Sequence, residues 1–177
     1  MPSETLTFER TVNAPASQVY RAFTSATALR EWFCDAALAD PRPGGRLYFW
    51  WNQGYYACGE FTALTEDQQI AFTWHGRGEP DTTRVGVSLE PANEETRVTV
   101  THSGIGTGAA WAETVKQFER GWEVGLENLQ SVLETGRDLR YVRRPMLGVT
   151  VDEFNAETAA QLGVPVTEGI RLERTLE

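Results

Sequence analysis

The sequence predicts an α+β fold in which a curved antiparallel sheet of about six strands wraps around one long helix. Residues 108–136 carry an apolar stripe at helical spacing, and five short strand-like segments precede that stripe, separated by turn-rich joins. Short joins connect antiparallel neighbours. A helix with one apolar face must cover an apolar surface, which the strands supply. One more strand and two short helices are expected before the five strands.

Composition limits the classes of function. The chain has 177 residues, 41% hydrophobic and 11% aromatic, which suits one domain plus an appendage. Its net charge of −9 disfavours nucleic acid and anionic lipid as partners. No segment has the length of a signal peptide or a membrane span, so we expect a cytoplasmic protein without membrane insertion. Cys34 and Cys58 are expected to be buried small side chains, and neither a metal nor a cofactor is implied.

The first strand and two short helices are predicted from alternation and capping signals. Residues 5–12 alternate apolar with polar side chains, which predicts a strand with one buried face. Arg10 is the exception on that face, and a cation that points inward requires a partner. Residues 13–15 then end the strand, since Pro15 suits the first turn of a helix. Ser25 is a candidate N-cap for a second short helix that ends at residues 32–33.

The five further strands follow a loop over residues 35–45, which holds two prolines and two glycines. Alternating apolar positions in several of these segments give the sheet a continuous apolar face for the long helix. A surplus of aromatic residues over residues 48–56 predicts that a cavity remains between sheet and helix. The predicted strands cover residues 46–51, 56–64, 69–74, 83–90 and 96–102.

The long helix is the strongest local prediction. Its stripe recurs at steps of four and three, and charged residues fall mostly off it. The glycine-rich residues 104–108 lack the lysine of a phosphate-binding loop and are interpreted as a flexible segment before the helix. Four arginines within residues 137–144 are interpreted as a solvated helix end. The stripe consists of Trp111, Val115, Phe118, Trp122, Leu126, Leu129 and Leu133.

Several short segments, in this order and spacing, resemble the START-like helix-grip superfamily, and within it the group similar to the carboxy-terminal domain of the activator of the Hsp90 ATPase. The resemblance covers roughly residues 4–136. It implies a cavity between sheet and helix that binds small apolar or amphipathic molecules, with no fixed reaction. The matching segments are residues 13–15, 19–24, 29–33, 44–47, 58–61, 70–74 and 121–122, with Leu126, Leu129 and Leu133.

The predicted organisation is a helix-grip domain over residues 1–136, a linker over 137–144 and an appended segment over 145–177. The appended segment resembles the first part of a PDZ domain. That resemblance implies that the loop of Met146, Leu147, Gly148 and Val149 holds the carboxylate of a peptide carboxy terminus on backbone N–H groups. A truncated or residual half-domain is one interpretation, and a short strand and helix packed on the main domain is the other.

Catalysis has few candidate residues. His102 lies in phase with Val98 and Val100, so it either faces the cavity as a proton donor or is a hydrogen-bonded residue at the rim. Glu60 has three interpretations: a polar anchor with Arg10, a general base, or a residue on the solvated outer face. We favour the outer face, because the alternation that buries Phe61 turns Glu60 the other way.

These observations predict a non-catalytic domain that binds a small hydrophobic molecule or lipid. One alternative is a chaperone-linked or protein-binding module whose PDZ-like tail docks peptides. A weaker alternative is a cyclase or hydrolase acting in the cavity. The residues expected to line the ligand site are Trp32, Tyr48, Trp50, Phe61, Phe72, Trp74, Phe118 and Trp122, with Arg10 and His102 as polar contacts.

Overall fold

The structure is a computed structural model that describes residues 3–143, 149–166 and 168–175. Backbone contacts divide the chain into two compact units, residues 1–142 and residues 143–177. Each unit is described separately below.

The first unit contains an antiparallel sheet of seven strands, in the order β1-β7-β6-β5-β4-β3-β2. This confirms the predicted α+β class and adds one strand, β2, inside the segment predicted as a loop. The short Ala-Leu-Ala pattern of β2 is too weak to predict a strand, and the prolines that follow it favour a loop. The strands are β1 Ser3–Val12, β2 Ala36–Ala39, β3 Arg46–Trp50, β4 Tyr56–Thr65, β5 Gln69–Gly76, β6 Thr83–Ala92 and β7 Glu95–Gly106.

Capping signals mark the start of the second helix and the end of the long helix in the first unit. The Ser25 side chain accepts a hydrogen bond from the Ala28 backbone N–H and so caps the second helix, as predicted. The long helix is followed by Gly136 at φ +72°, the left-handed conformation in which glycine commonly ends a helix. The helices are α1 Ala16–Thr24, α2 Ala26–Trp32, α3 Ala112–Thr135 and α4 Leu139–Val142.

The core lies between the inner face of the sheet and the apolar stripe of α3. Burial of these apolar side chains is the main driving force for packing the helix on the sheet. On the stripe, Val115 and Leu133 are only partly buried, while a polar residue, Asn128, is 1% exposed. The buried stripe residues are Trp111, Phe118, Trp122, Leu126 and Leu129, and the sheet contributes Leu47, Phe49, Phe61, Ile70, Phe72, Trp74, Val85, Val87, Leu89, Val98 and Val100.

A hydrogen-bonded cluster of Asn128, Asp138 and Arg140, which we call the polar clasp, joins α4 to α2 and α3. Asn128 Nδ2 donates to the backbone carbonyl of Trp32 (2.6 Å) and to Asp138 Oδ1 (3.0 Å), and its own Oδ1 accepts from the Leu139 backbone N–H (2.7 Å). Arg140 forms an ion pair with Asp138 and donates to a backbone carbonyl of α2. The predicted linker therefore begins with six residues that belong to the first unit.

The second unit consists of β8 Val149–Asp152, α5 Ala156–Leu162 and β9 Arg171–Thr175. The two strands pair antiparallel, and the Asn155 side chain caps α5 by accepting from the Thr158 backbone N–H (3.0 Å). Of the predicted peptide-binding loop, Met146, Leu147 and Gly148 lie outside the described residues, and Val149 is the first residue of β8. The resemblance to a PDZ domain stays a prediction.

Candidate functional site

Six aromatic residues of the predicted ligand site lie in the core. Trp74 is at the centre of this group, with ring centroids 6.2 Å from Trp122 and 6.5 Å from Phe118. Phe61 and Phe72 are 6.3 Å apart on neighbouring strands. Separations of this size are direct ring packing. The six residues are Trp32, Phe61, Phe72, Trp74, Phe118 and Trp122, and each is at most 6% exposed.

Two predicted lining residues, Tyr48 and Trp50, lie on the other face of the sheet. In β3 the buried positions are Leu47 and Phe49, so strand alternation turns Tyr48 and Trp50 away from α3. The Tyr48 ring stacks on Tyr56, with centroids 6.1 Å apart. We correct the prediction for these two residues. Aromatic content suggested a lining role, whereas the period-two pattern of the strand decides which aromatic faces inward.

His102 is fully buried and hydrogen-bonded through both ring nitrogens. Trp122 Nε1 donates to His102 Nδ1 (3.1 Å), so the imidazole proton lies on Nε2 and is donated to Thr83 Oγ1 (2.7 Å). The Thr83 hydroxyl in turn donates to the backbone carbonyl of Trp74 (3.2 Å). The imidazole also packs on Phe118, with centroids 4.0 Å apart. Every polar group of this chain of hydrogen bonds is satisfied.

Burial lowers the pKa of His102 to about 3. A second proton on Nδ1 would face the indole N–H of Trp122, so the donor geometry also disfavours the cation. His102 is therefore neutral at physiological pH. Of the two interpretations of this residue, the structure matches a hydrogen-bonded residue and places it in the core rather than at a rim.

Glu79 is a partly buried residue at the centre of a hydrogen-bond network that sequence reasoning missed. Its Oε1 accepts hydrogen bonds from the Tyr55 hydroxyl and from Trp74 Nε1 (3.0 Å), and its Oε2 accepts from the Gly76 backbone N–H (2.7 Å). Burial and the bond to Glu79 raise the pKa of Tyr55. Two of the three donors, Trp74 and Gly76, belong to β5, and Tyr55 lies in the loop before β4, 24 residues earlier in the chain than Glu79, so no local sequence pattern marks the whole set.

Glu60 lies on the outer face of the sheet, as favoured from the sequence. It is exposed beside Phe61, which is 1% exposed, and it stands opposite Arg46 on β3. The polar anchor and the general base are thereby ruled out for Glu60. Cys34 is buried, and burial raises the pKa of its thiol to about 12. Cys58 is exposed, which corrects the expectation of burial.

A groove runs between β1 and α3, and we call it the β1/α3 groove. It consists of two open depressions of about 520 and 510 Å³ that share Phe8 and Glu123 in their walls. The first is lined by Leu6, Thr7, Phe8, Lys116, Glu119, Arg120 and Glu123, and the second by Phe8, Glu9, Arg10, Glu123, Val124, Leu126 and Glu127.

Arg10 is the residue of this groove whose side chain carries a buried N–H group without an acceptor among the described residues. Its side chain lies on the same face of β1 as Leu6, Phe8 and Val12, as the sequence predicts. The Nε atom is buried, and no described residue accepts a hydrogen bond from it. A buried donor without an acceptor destabilises the protein, so the Nε of Arg10 is a candidate contact for an acceptor group of a ligand.

Other kinds of site were sought in the part of the chain that the structure describes. No group of three or more His, Cys, Asp or Glu residues there is arranged to hold a metal ion. Within the same residues, no helix has the length and apolarity needed to cross a membrane. Outside the core, the β1/α3 groove is thus the candidate functional site.

Comparisons with solved structures agree with this fold. DynU16, from the dynemicin biosynthetic locus, is 26% identical with a TM-score of 0.69, over 79% of this chain and 51% of that chain. The Aha1 dimer from Colwellia psychrerythraea is 20% identical with a TM-score of 0.67, over 76% of this chain and 98% of that chain. PFC0360w, an HSP90 activator from Plasmodium falciparum, is 23% identical with a TM-score of 0.62, over 73% of this chain and 96% of that chain. The chain spans about half the length of DynU16.

A family model gives the assignment directly. No curated protein matches the sequence. The model described as Activator of Hsp90 ATPase homolog 1-like protein matches residues 13–134, which include α1, α2, β2 to β7 and all of α3 except its last residue. Because this match covers more than half of the sequence, the chain belongs to the family of Activator of Hsp90 ATPase homolog 1-like proteins.

Proposed function

We propose that the first unit binds a small hydrophobic or amphipathic ligand, without catalysing a reaction on it, in the β1/α3 groove. The observation that carries this proposal is the buried Arg10 Nε, which has no acceptor in the part of the chain that the structure describes and lines the same depression as the aromatic side chain of Phe8.

The size and lining of the groove support a small ligand. Each depression has a volume of about 500 Å³, within the roughly 300–1,000 Å³ common for small-molecule sites. Phe8 joins the two depressions, and Leu6 and Val124 add apolar surface. The aliphatic stems of long charged side chains on α3 extend this apolar surface.

In this proposal Arg10 contacts the polar end of the ligand. An oxygen acceptor on the ligand would satisfy the buried Nε and fix the ligand's orientation against Phe8. The ligand proposed is thus amphipathic, with an apolar body along β1 and an oxygen-bearing end at Arg10. Of the residues predicted as ligand contacts from the sequence, Arg10 is the one that lines this groove.

The state of His102 supports binding rather than proton transfer. Both ring nitrogens are engaged within the core, and burial keeps the pKa of this imidazole near 3. A general base must reach the proton it removes, and His102 contacts Trp122, Thr83 and Phe118 instead. The cyclase or hydrolase alternative therefore loses its best candidate residue.

The test begins with native mass spectrometry of the purified protein, compared with the denatured mass, to find a co-purified ligand. Dodecanoate, an amphipathic carboxylate, then serves as the probe in thermal unfolding. A ligand at about 100 times its Kd stabilises a protein by about 2.7 kcal/mol, which raises the Tm by several degrees. We expect such a shift together with a 1:1 complex.

A matched pair of variants localises the ligand. Val124 lies in the groove and Val142 lies on α4, and they are 52% and 50% exposed. Val124→Asp places a carboxylate against the apolar body and is expected to abolish the dodecanoate shift, whereas Val142→Asp leaves it intact. Equal shifts in both variants, or none in the unaltered protein across a panel of apolar compounds, would contradict the proposal.

A second candidate is a chaperone-linked or protein-binding module, and family membership favours it. The chain shares its fold with an HSP90 activator over 96% of that protein's length. We propose as its test the ATPase rate of purified Hsp90 with and without the full chain. Stimulation would support this candidate, and an unchanged rate would count against it. A peptide-capture experiment with residues 146–149 replaced by alanine tests the PDZ-like tail separately.

A further inference from the structure

We propose that Cys58 and His75 form a two-coordinate site for Cu(I) on the outer face of the sheet. The site is separate from the β1/α3 groove, since β7 and β6 lie between β1 and β5 in the sheet order. Metal binding there requires neither the hydrophobic ligand nor Arg10, so it goes beyond the proposed function.

The register of β4 and β5 brings the two side chains together. Cys58 on β4 stands directly opposite His75 on β5, although the two residues are 17 positions apart in the chain. Opposed residues of an antiparallel pair point to the same face, with Cβ atoms about 4.5–5.5 Å apart. The Cys58 thiol donates to the backbone carbonyl of His75 (3.7 Å), which places the sulfur beside that residue. Bonds of about 2.0–2.3 Å from a metal ion to nitrogen and sulfur match this separation.

Both side chains are open to solvent. Cys58 and His75 are exposed, whereas Trp74, the neighbour of His75 on β5, is buried. Strand alternation thus turns the pair away from the core. The sequence contains two cysteines and two histidines, and the other two, Cys34 and His102, are buried. Cys58 and His75 are therefore the cysteine and the histidine that a metal ion reaches from solution.

The number and type of ligands select the ion. Zn²⁺ sites in proteins use three or four protein ligands, and no group of three or more His, Cys, Asp or Glu in the described ranges is arranged to hold a metal. The carboxylate of Glu60 follows Cys58 on the same face of β4, but it stands opposite Arg46. Thiolate and imidazole are both ligands of copper. Cu(I), with a filled d shell, is stable with two such ligands in line.

Apolar and aromatic side chains lie next to the pair and favour a complex without net charge. Tyr48 stands opposite Cys58 on β3, Leu38 stands opposite Tyr48 on β2, and the Tyr56 ring stacks on Tyr48. Binding of Cu(I) releases the thiol proton to solvent, so the charges of the thiolate, the ion and the neutral imidazole sum to zero. A divalent ion would leave a positive charge beside this apolar surface, which is unfavourable.

The test titrates Cu(I), kept reduced with ascorbate under nitrogen, into the full chain in the presence of bicinchoninate, which competes for the ion and reports it by colour. We expect one Cu(I) per chain, bound to one sulfur and one nitrogen in X-ray absorption at the copper edge. Loss of a residue that merely supports a metal ligand weakens binding by about 10–100-fold. Cys58→Ser and His75→Gln each remove a ligand itself, so each is expected to weaken binding by at least about tenfold.

The control is Glu60→Gln, which changes an exposed side chain on the same face of β4 and is expected to leave the Cu(I) affinity unchanged. Circular dichroism checks that each variant is folded. The proposal would be overturned by Cu(I) that stays with bicinchoninate, by one ion bound per two chains, or by either ligand variant binding as tightly as the unaltered chain. Weaker binding by Glu60→Gln would show a third ligand and would also overturn it. The dodecanoate shift is expected to persist in Cys58→Ser, so the two proposals are tested independently.

Discussion

At the scale of the residue, His102 joins the sheet to the long helix while remaining uncharged. The imidazole accepts from the indole of α3 and donates to the hydroxyl of Thr83 on β6. Because burial lowers the pKa of this group to about 3, its environment tolerates only the neutral form at physiological pH. The consequence is a pH dependence of stability that can be assigned to one side chain.

We expect the free energy of unfolding to fall as the pH drops from neutrality toward 4. Below the unfolded pKa of about 6.5, the unfolded chain binds a proton on His102 that the folded protein does not bind. The free energy of unfolding then decreases by about 1.4 kcal/mol per pH unit, until the folded group titrates near pH 3. Urea unfolding at a series of pH values measures this slope.

The slope can be traced to His102 by substitution. His102→Gln is expected to flatten the dependence between pH 6.5 and 4, because it removes the group that titrates in the unfolded chain. His75→Gln removes the exposed histidine and is expected to leave the slope in place. The same slope in both variants would show that carboxylates, not His102, dominate this range.

At the scale of the element, α3 is held at its end by the clasp with α2 and α4. Burial alone would raise the pKa of Asp138, but hydrogen bonds from Arg140 and Asn128 outweigh it and hold the pKa below its usual range. A carboxyl group with a depressed folded pKa stabilises the protein above its unfolded pKa, and this contribution is lost as the pH falls through the folded value. The clasp therefore weakens only in acid.

Asn128→Ala is expected to destabilise the first unit by about 2–3 kcal/mol. The change leaves the carbonyl of Trp32 and the N–H of Leu139 without their side-chain partner. Gln130→Ala on the same helix removes one exposed bond to Glu134 and is expected to cost about 0.5 kcal/mol or less. Chemical denaturation compares the two, and equal losses would contradict the role assigned to the clasp.

At the scale of the whole molecule, the first unit holds the hydrophobic core. Every member of the core cluster lies between Val12 and Leu129. A fragment of residues 1–143 is thus expected to unfold cooperatively with a Tm within a few degrees of that of the full chain.

A fragment of residues 1–136, the domain expected from the sequence, lacks the clasp and is expected to melt well below the longer one. Differential scanning calorimetry of both fragments distinguishes the two boundaries. Equal Tm values would show that residues 1–136 already form the complete domain. A longer fragment that fails to fold would show that residues beyond 143 support the core.

The sequence by itself determined the elements whose signals are local. The stripe from Trp111 to Leu133, the cap at Ser25 and the glycine at 136 each depend on backbone geometry within a few residues, so they predict α3 and its neighbours directly. The inward side of Arg10 and the outward side of Glu60 follow from strand alternation in the same way.

Tertiary structure alone decided which polar groups meet. Glu79 collects donors from Tyr55, Trp74 and Gly76, and Asn128 reaches a carbonyl 96 residues earlier in the chain. Periodicity reports which face a side chain occupies but not what lies opposite it. Hydrogen-bond partners therefore follow only from the packed arrangement, because each bond requires two groups that the fold, not the sequence order, brings together.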